Sequence, residues 1–303
     1  VEYILETRGL KKSYGHFHAL NGLDIHLPKG AIYGFVGRNG AGKTTLIRLL
    51  CGLQQPTAGE YLLYGVPHSS SRIAQVRRRM GAVVETPSIY MNMTAEENLR
   101  QQYRILGLPS YSGIQDLLEL VGLQDTGRKK AGVFSLGMRQ RLGIAVAMAG
   151  NPDLLVLDEP ANGLDPQGIV EIRELILKLN RERRVTVLIS SHILDELSRI
   201  ATHYGFIDRG AIVKEISTTE LEAACRKCTH LEVSNIRALA RVLERLQLAY
   251  TILSDTAADI YAAVPVTRLA AELAQEGCDI HTITQRDESL ESYYMALIGG
   301  NAV

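Results

Sequence analysis

Gly37-Arg38-Asn39-Gly40-Ala41-Gly42-Lys43-Thr44 fits the spacing G-x-x-x-x-G-K-[ST]. Glycines free such a loop from Cβ clashes, so successive N–H groups can turn inward around a phosphate chain. The flanks agree with a strand–loop–helix unit. Ala31-Ile32-Tyr33-Gly34-Phe35-Val36 is an unbroken apolar run, the pattern of a buried strand, and Leu46-Ile47-Arg48-Leu49-Leu50 continues as a helix. A helix starting near Lys43 adds the positive end of its dipole to the loop. Gly37 through Thr44, with Thr45, are therefore candidate nucleotide-binding residues. Lys43 is expected to reach the β- and γ-phosphates, and the Thr44 hydroxyl to ligate Mg²⁺.

Outward from this loop, strands and helices alternate, which predicts an α/β core with a parallel sheet. Residues 2–34 read as short β segments broken by Gly9, Gly15, Asn21-Gly22 and Pro28-Lys29-Gly30. Strands are expected at Tyr61–Tyr64, at Gly81–Val84 beside the strand before the loop, at Leu154–Leu157 and at Val185–Ser190. Thr94-Ala95-Glu96-Glu97 has the form of a capping box and opens a helical stretch to about Gly150. Ser135 starts a helix running to Met148, and Ile169–Asn180 is amphipathic. The 303 residues suffice for about two domains. The chain carries 33 Lys+Arg against 33 Asp+Glu, so it lacks the basic surplus of a nucleic-acid binder. No apolar run approaches the roughly 18–20 residues that span a bilayer. The four cysteines make no disulfide framework. Cys225 and Cys228, close to His230, read as an incidental i, i+3 pair on a helix rather than a zinc or redox site.

Four further motifs follow the loop in order. Leu154–Leu157 ends in Asp158-Glu159, which sets two carboxylates at a strand end. Asp158 is placed to hold Mg²⁺ through its water shell, and Glu159 to polarise an attacking water. Phe134-Ser135-Leu136-Gly137-Met138-Arg139-Gln140-Arg141 places a serine hydroxyl and a glycine N–H at a helix start, an anion site. Asn162-Gly163-Leu164-Asp165 and the strand-end His192 complete the set.

In these motifs the chain resembles the ATP-binding cassette (ABC) transporter ATPases. Their usual signature is Leu-Ser-Gly-Gly-Gln; this chain keeps Ser135 and Gly137 but has Leu136 and Met138 in place of Gly and Gln. The resemblance implies ATP and Mg²⁺ as cofactors. It implies that Ser135 and Gly137 grip the γ-phosphate held by a second cassette, and that Asp165 lies in the loop crossing that seam. It makes Glu159, His192 and Lys43 the catalytic set, with His192 contacting the γ-phosphate and Glu159, and Tyr14 the aromatic that stacks on adenine. Where the family has Gln after the next core strand, this chain has Glu85. Such a loop, with Thr86-Pro87-Ser88-Ile89-Tyr90 after it, resembles the exporter ATPases for bacitracin and lantibiotic peptides, and implies that Glu85 joins Thr44 and Asp158 around the metal. The segment from Glu85 to Leu99 is expected to dock a permease.

The composition shifts near Ile216–Thr219. Beyond it the order is strand (231–234), helix (235–247), strand (249–253), strand (259–263), helix (266–276), strand (279–284), with a last helix over 289–298. This β-α-β-β-α-β order is ferredoxin-like. The expectation is a P-loop NTPase ABC cassette over residues 2–216, with a RecA-like core, an antiparallel β subdomain and a helical subdomain. A small α+β accessory or regulatory domain occupies 219–300. The expected protein is an ATPase at the cytoplasmic face of a cell membrane, peripherally attached. It acts as a homodimer or heterodimer of cassettes on separate permease subunits, without nucleic acid, and exports peptide antibiotics or related amphiphiles. An importer ATPase and a soluble cassette outside transport remain the alternatives. The span from Lys43 to Ser135 leaves no room for the long coiled coil of DNA-repair cassettes.

Overall fold

The computed structural model describes residues 2–224, 228–261, 265–286, 293, 294 and 297. Its contacts divide the chain into two units, Val1–Thr218 and Thr219–Val303.

In the first unit six strands form one sheet. Their order is Ala211–Ser217, His203–Asp208, Ile32–Val36, Thr186–Ser191, Leu154–Asp158 and Met80–Val83. All neighbours run parallel except the Ala211–Ser217 edge. The central strands are buried along their whole length and mostly apolar, as a sheet covered on both faces requires. Met80–Val83 pairs with Leu154–Asp158, and two strands separate it from the P-loop strand. That corrects the expectation that these two lie side by side. The order follows from the connections. After the P-loop helix the chain leaves for a second sheet, and it returns to the core at the far edge.

That second sheet is antiparallel, built from Tyr3–Tyr14, Phe17–Leu23, His26–Pro28, Ala58–Leu63 and Val66–Pro67. One hydrophobic core joins its Leu5, Leu10, Leu23, Leu27, Tyr61 and Leu63 to Leu46, Leu49 and Leu50 of the P-loop helix and to Phe35, Val156 and Leu188 of the main sheet. The helix Lys43–Leu50 is thus clamped between two sheets, which fixes its N-terminus in place. A helical part, Ala95–Leu106, Ile114–Leu120 and Leu136–Ala147, lies between the second and third core strands in sequence. Its first helix carries the capping box: Thr94 Oγ1 accepts from Glu97 N at 3.1 Å, and Glu97 Oε2 accepts from Thr94 N at 2.7 Å.

The second unit has strands Cys228–Val233, Tyr250–Ile252, Ala257–Ile260 and Ile280–Arg286, with helices Ile236–Arg245 and Val266–Gln275. The sheet is antiparallel, in the order second, third, first, fourth. This is the arrangement of a β-α-β-β-α-β fold. Asn235 caps its first helix, accepting from Arg237 N at 3.1 Å and Ala238 N at 3.2 Å. Leu231, Val233, Ala258 and Ile260 share a core with Leu239, Val242, Leu243, Leu269 and Leu273 of the helices.

Cys228 opens a strand, which corrects the helical pairing with Cys225. Leu231 and Val233 alternate inward with period two, and that pattern overrides the i, i+3 spacing. Cys225 itself, and nearly all of the last expected helix, lie outside the described residues. Buried His230 instead bonds across the sheet, its Nδ1 2.6 Å from Asp259 Oδ1. Among the described residues no group of three or more His, Cys, Asp or Glu is placed to hold a metal ion.

Candidate nucleotide-binding site

Parallel register brings three strand ends level. Phe35 pairs with Ser190 and Val36 with Ser191 on one side; Asp158 pairs with Ser190 on the other. Ligand sites of open α/β sheets lie beyond such carboxyl ends. Here they carry the P-loop, Asp158-Glu159 and His192.

The loop needs its glycines for two separate reasons. Gly40 (φ 81°) and Gly42 (φ 112°) adopt the left-handed region that side chains disfavour. A Cβ on Gly42 would also stand 2.6 Å from the Ala19 carbonyl oxygen. Gly42 is the N-cap of Lys43–Leu50, and no side chain caps that helix. The first-turn N–H groups are therefore left for an anion. Lys43 is buried; its Nζ donates to the Gly37 carbonyl at 2.5 Å and the Arg38 carbonyl at 3.3 Å, and lies 3.2 Å from Glu159 Oε1. A cleft of about 230 Å³ opens over this surface. It is lined by Phe17, Ala19, Asn39, Gly40, Gly42, Lys43, Thr44, Thr45 and Glu159.

Glu159 sits at φ 49°, a strained position for a non-glycine residue, and it is held there from several sides. Its N–H is shared by the Ser190 carbonyl at 3.2 Å and Ser190 Oγ at 3.0 Å. Its Oε2 lies 2.7 Å from His192 Nδ1. The buried Ser190 hydroxyl also donates to Asp158 Oδ1 at 2.6 Å. One hydroxyl therefore aligns both carboxylates, a link that the sequence reading lacks. Asp158 is only 2% exposed, yet its Oδ2 has no hydrogen-bond partner. A buried carboxylate oxygen left open, with the Thr44 hydroxyl on the helix beside its strand, suits a hydrated divalent cation.

Glu85 is placed differently. It follows the edge strand at φ 59°, its side chain is half exposed, and its carboxylate pairs with Arg48 of the P-loop helix. Tyr14 is exposed and its hydroxyl bonds Gln54, while Lys12 Nζ sits 5.1 Å from its ring centre. Phe17, directly across the hairpin from Tyr14, is the aromatic that lines the cleft. The spacing Tyr14-Gly15-His16-Phe17 carries that signal, since a two-residue turn sets positions 14 and 17 opposite each other.

Ser135 and Gly137 do not line the cleft. Ser135 is exposed at the N-cap of Leu136–Ala147, where its Oγ accepts from Met138 N at 3.2 Å. Asp165 caps Pro166–Arg183, accepting from Gly168 N at 3.0 Å.

Comparison with known proteins agrees with this geometry. The ABC transporter family profile matches residues 20–162. The chain is 40% identical over 305 residues to the bacitracin transport ATP-binding protein BcrA of Enterococcus faecalis, covering 100% of this chain and 99% of that one. It is 42% identical over 212 residues to the lantibiotic transport ATP-binding protein SrtF of Streptococcus pyogenes, covering 70% of this chain and 90% of that one. Among solved structures, the ADP conformation of MJ1267, an ATP-binding cassette of an ABC transporter, superimposes with a TM-score of 0.66 at 27% identity, over 73% of this chain and 93% of that one. The family profile and near-full-length relatives, meeting a P-loop, paired strand-end carboxylates and a strand-end histidine in one place, establish that the chain belongs to the ATP-binding, ATP-hydrolysing subunits of ABC transporters.

Proposed function

We propose that two copies of this cassette, or this one and a related one, close around two ATP–Mg²⁺. Hydrolysis between them then drives export of a membrane-active peptide antibiotic through separate permease subunits. The carrying observation is the separation of two anion sites on one chain. The P-loop cleft is lined without Ser135 and Gly137; at their helix start Ser135 is exposed and Gly137 partly so, beside Leu164 and Gly168. A second copy would bring that helix start to the γ-phosphate, with Asp165 in the loop at the seam. Within each cleft, Lys43 and the loop N–H groups hold the phosphates. Thr44 and Asp158 would hold Mg²⁺, which would neutralise phosphate charge. Glu159 takes the proton of the attacking water. His192 and Ser190 hold its carboxylate and its backbone.

Adenine stacking falls to Phe17, with Tyr14 on its flank. Base–aromatic stacking is worth about 1–3 kcal/mol. Phe17→Ala should therefore weaken ATP binding by roughly five- to a hundredfold, and more than Tyr14→Ala does. Calorimetric titration of ATP into the three proteins checks this. A larger loss at Tyr14 would return the stacking role to it.

The peptide-antibiotic reading is supported by the bacitracin and lantibiotic names of the relatives above. Among the described residues no helix is long and apolar enough to cross a membrane. Work on separate permease subunits needs a dock, which we place at the cytoplasmic face of the membrane. A cleft of about 200 Å³ lies between the edge strand and the helical part, lined by residues such as Met80, Ser88, Gln102, Leu106 and Val146. Beside Ser88 in sequence, Tyr90 and Met91 are each 47% exposed, on backbone pinned by Asn98. The second unit is read as an accessory, regulatory domain.

The test is co-expression with a permease pair in a sensitive host, scoring growth in bacitracin and in a lantibiotic, with Lys43→Ala as the inactive control. Protection by the parent alone is expected. Replacing Tyr90 and Met91 together with Ser should abolish protection and co-purification with the permease, while hydrolysis by the isolated subunit persists. Equal growth of parent and control in both antibiotics would overturn the substrate class. Undiminished co-purification would overturn the dock.

A further inference from the structure

Glu85 stands at the carboxyl end of the sheet. Val83 pairs in parallel register with Leu157, the last pair of the two strands, so Glu85 follows one strand end and Asp158-Glu159 the next. Three acidic side chains, Glu85, Asp158 and Glu159, thus share the end of the sheet to which a triphosphate would bring several more negative charges. Two of them face cations held by the P-loop helix. Lys43 faces Glu159, and Arg48 faces Glu85. Arg48 is four residues beyond Thr44, hence on the same side of that helix and one turn further from its N-terminus. The aim of Glu85 is set by its backbone. A hydrogen bond from Thr86 N to the Val84 carbonyl, 2.7 Å, closes a tight turn around it at φ 59°.

We propose that Arg48 is a positioning residue, the counter-ion that makes a carboxylate at Glu85 compatible with bound phosphates. The proposal rests on the expectation, carried from the sequence, that Glu85 belongs to the nucleotide's surroundings although it stands outside the cleft lining. Both partners are part exposed, so the pair contributes little to folding. Its effect is on the field at the cleft. Paired, the two side chains present almost no net charge. Without Arg48 the carboxylate is a free negative charge near phosphate; without Glu85 the guanidinium is a free positive one. The P-loop helix then does two tasks: its first turn binds phosphate, and its second cancels the charge that this chain carries at residue 85.

The experiment measures ATP affinity by calorimetry in EDTA for the parent, Arg48→Ala, Arg48→Lys, Glu85→Gln and the Arg48→Ala/Glu85→Gln double variant. Without metal, only the charge on the phosphates is read. Arg48→Ala should weaken binding roughly three- to tenfold, the effect of one charge at the edge of the site. Glu85→Gln should tighten it by a similar factor. The double variant and Arg48→Lys should both return to the parent value, and each shift should shrink as salt is raised. A structural role for Arg48 would not be reversed by removing Glu85. If Glu85→Gln tightens binding while Arg48→Ala changes nothing, or the double variant stays as weak as Arg48→Ala, the counter-ion role is overturned and Glu85 keeps its place. If Glu85→Gln changes neither affinity in EDTA nor hydrolysis with Mg²⁺, Glu85 is outside the site and both readings fall.

Discussion

Glu159→Gln is expected to lock the ATP-bound protein as a dimer and to cut hydrolysis by about 10²–10⁴-fold, the usual contribution of a positioned base. The substitution keeps size and shape. The backbone of residue 159 stays held by Ser190 through its carbonyl and its hydroxyl, and an amide can still meet His192 across 2.7 Å. Lys43 loses the carboxylate 3.2 Å away but keeps the Gly37 and Arg38 carbonyls, so the phosphate cradle stays intact. What disappears is the basic oxygen. If ATP closes the dimer and only hydrolysis opens it, binding without turnover accumulates the closed state. Sedimentation velocity with saturating ATP and phosphate release under the same conditions read the two effects. A variant that stays monomeric, or that hydrolyses at the parent rate, refutes Glu159 as the base.

Much of this site is legible locally because its parts are local signals. The P-loop is one continuous octapeptide. Its strand and the Asp158 strand are unbroken apolar runs, and Ser135 and Thr94 occupy helix N-caps that their sequence contexts announce. What escapes is pairwise. An apolar run reveals a strand but not its neighbour, so Met80–Val83 falls beside the Asp158 strand instead of the P-loop strand. The Ser190 link exists only through register, since nothing in Ile189-Ser190-Ser191 says that its hydroxyl will lie between two carboxylates of another strand. The Arg48–Glu85 contact joins residues 37 positions apart. Boundaries fail for a different reason. The helix expected from Ile169 begins at Pro166, because Asp165 is its N-cap and Pro suits the first helical position. The strands His203–Asp208 and Ala211–Ser217 carry glycine and charged residues that break the alternation a strand reading needs.

Lys43→Ala and Ser135→Arg should both abolish hydrolysis, but by different routes. Lys43 belongs to the cleft of its own chain. Its ammonium is buried among loop carbonyls within reach of bound phosphate, and removing it deletes a charge-assisted contact worth about 1.5–3 kcal/mol. ATP affinity of the isolated chain should fall by roughly ten- to a hundredfold or more. Ser135 lies outside that cleft, exposed on the N-cap of another helix. An arginine there removes the capping hydroxyl, at about 1 kcal/mol, and sets a bulky side chain where the proposed dimer places the γ-phosphate of a second copy. Affinity of the isolated chain should remain near that of the parent. ATP-driven dimerisation and hydrolysis should be lost, and so should the dimer trapped by Glu159→Gln when the two substitutions are combined. Calorimetric titration of ATP into each monomeric variant, followed by sedimentation at saturating ATP, separates the two routes. Equal loss of affinity in both variants would mean that Ser135 serves its own chain's nucleotide. A Ser135→Arg protein that still dimerises and turns over would remove the helix start from the site. The contrast between the two variants tests the proposed shared site, in which one residue acts on its own chain's phosphates and the other on its partner's.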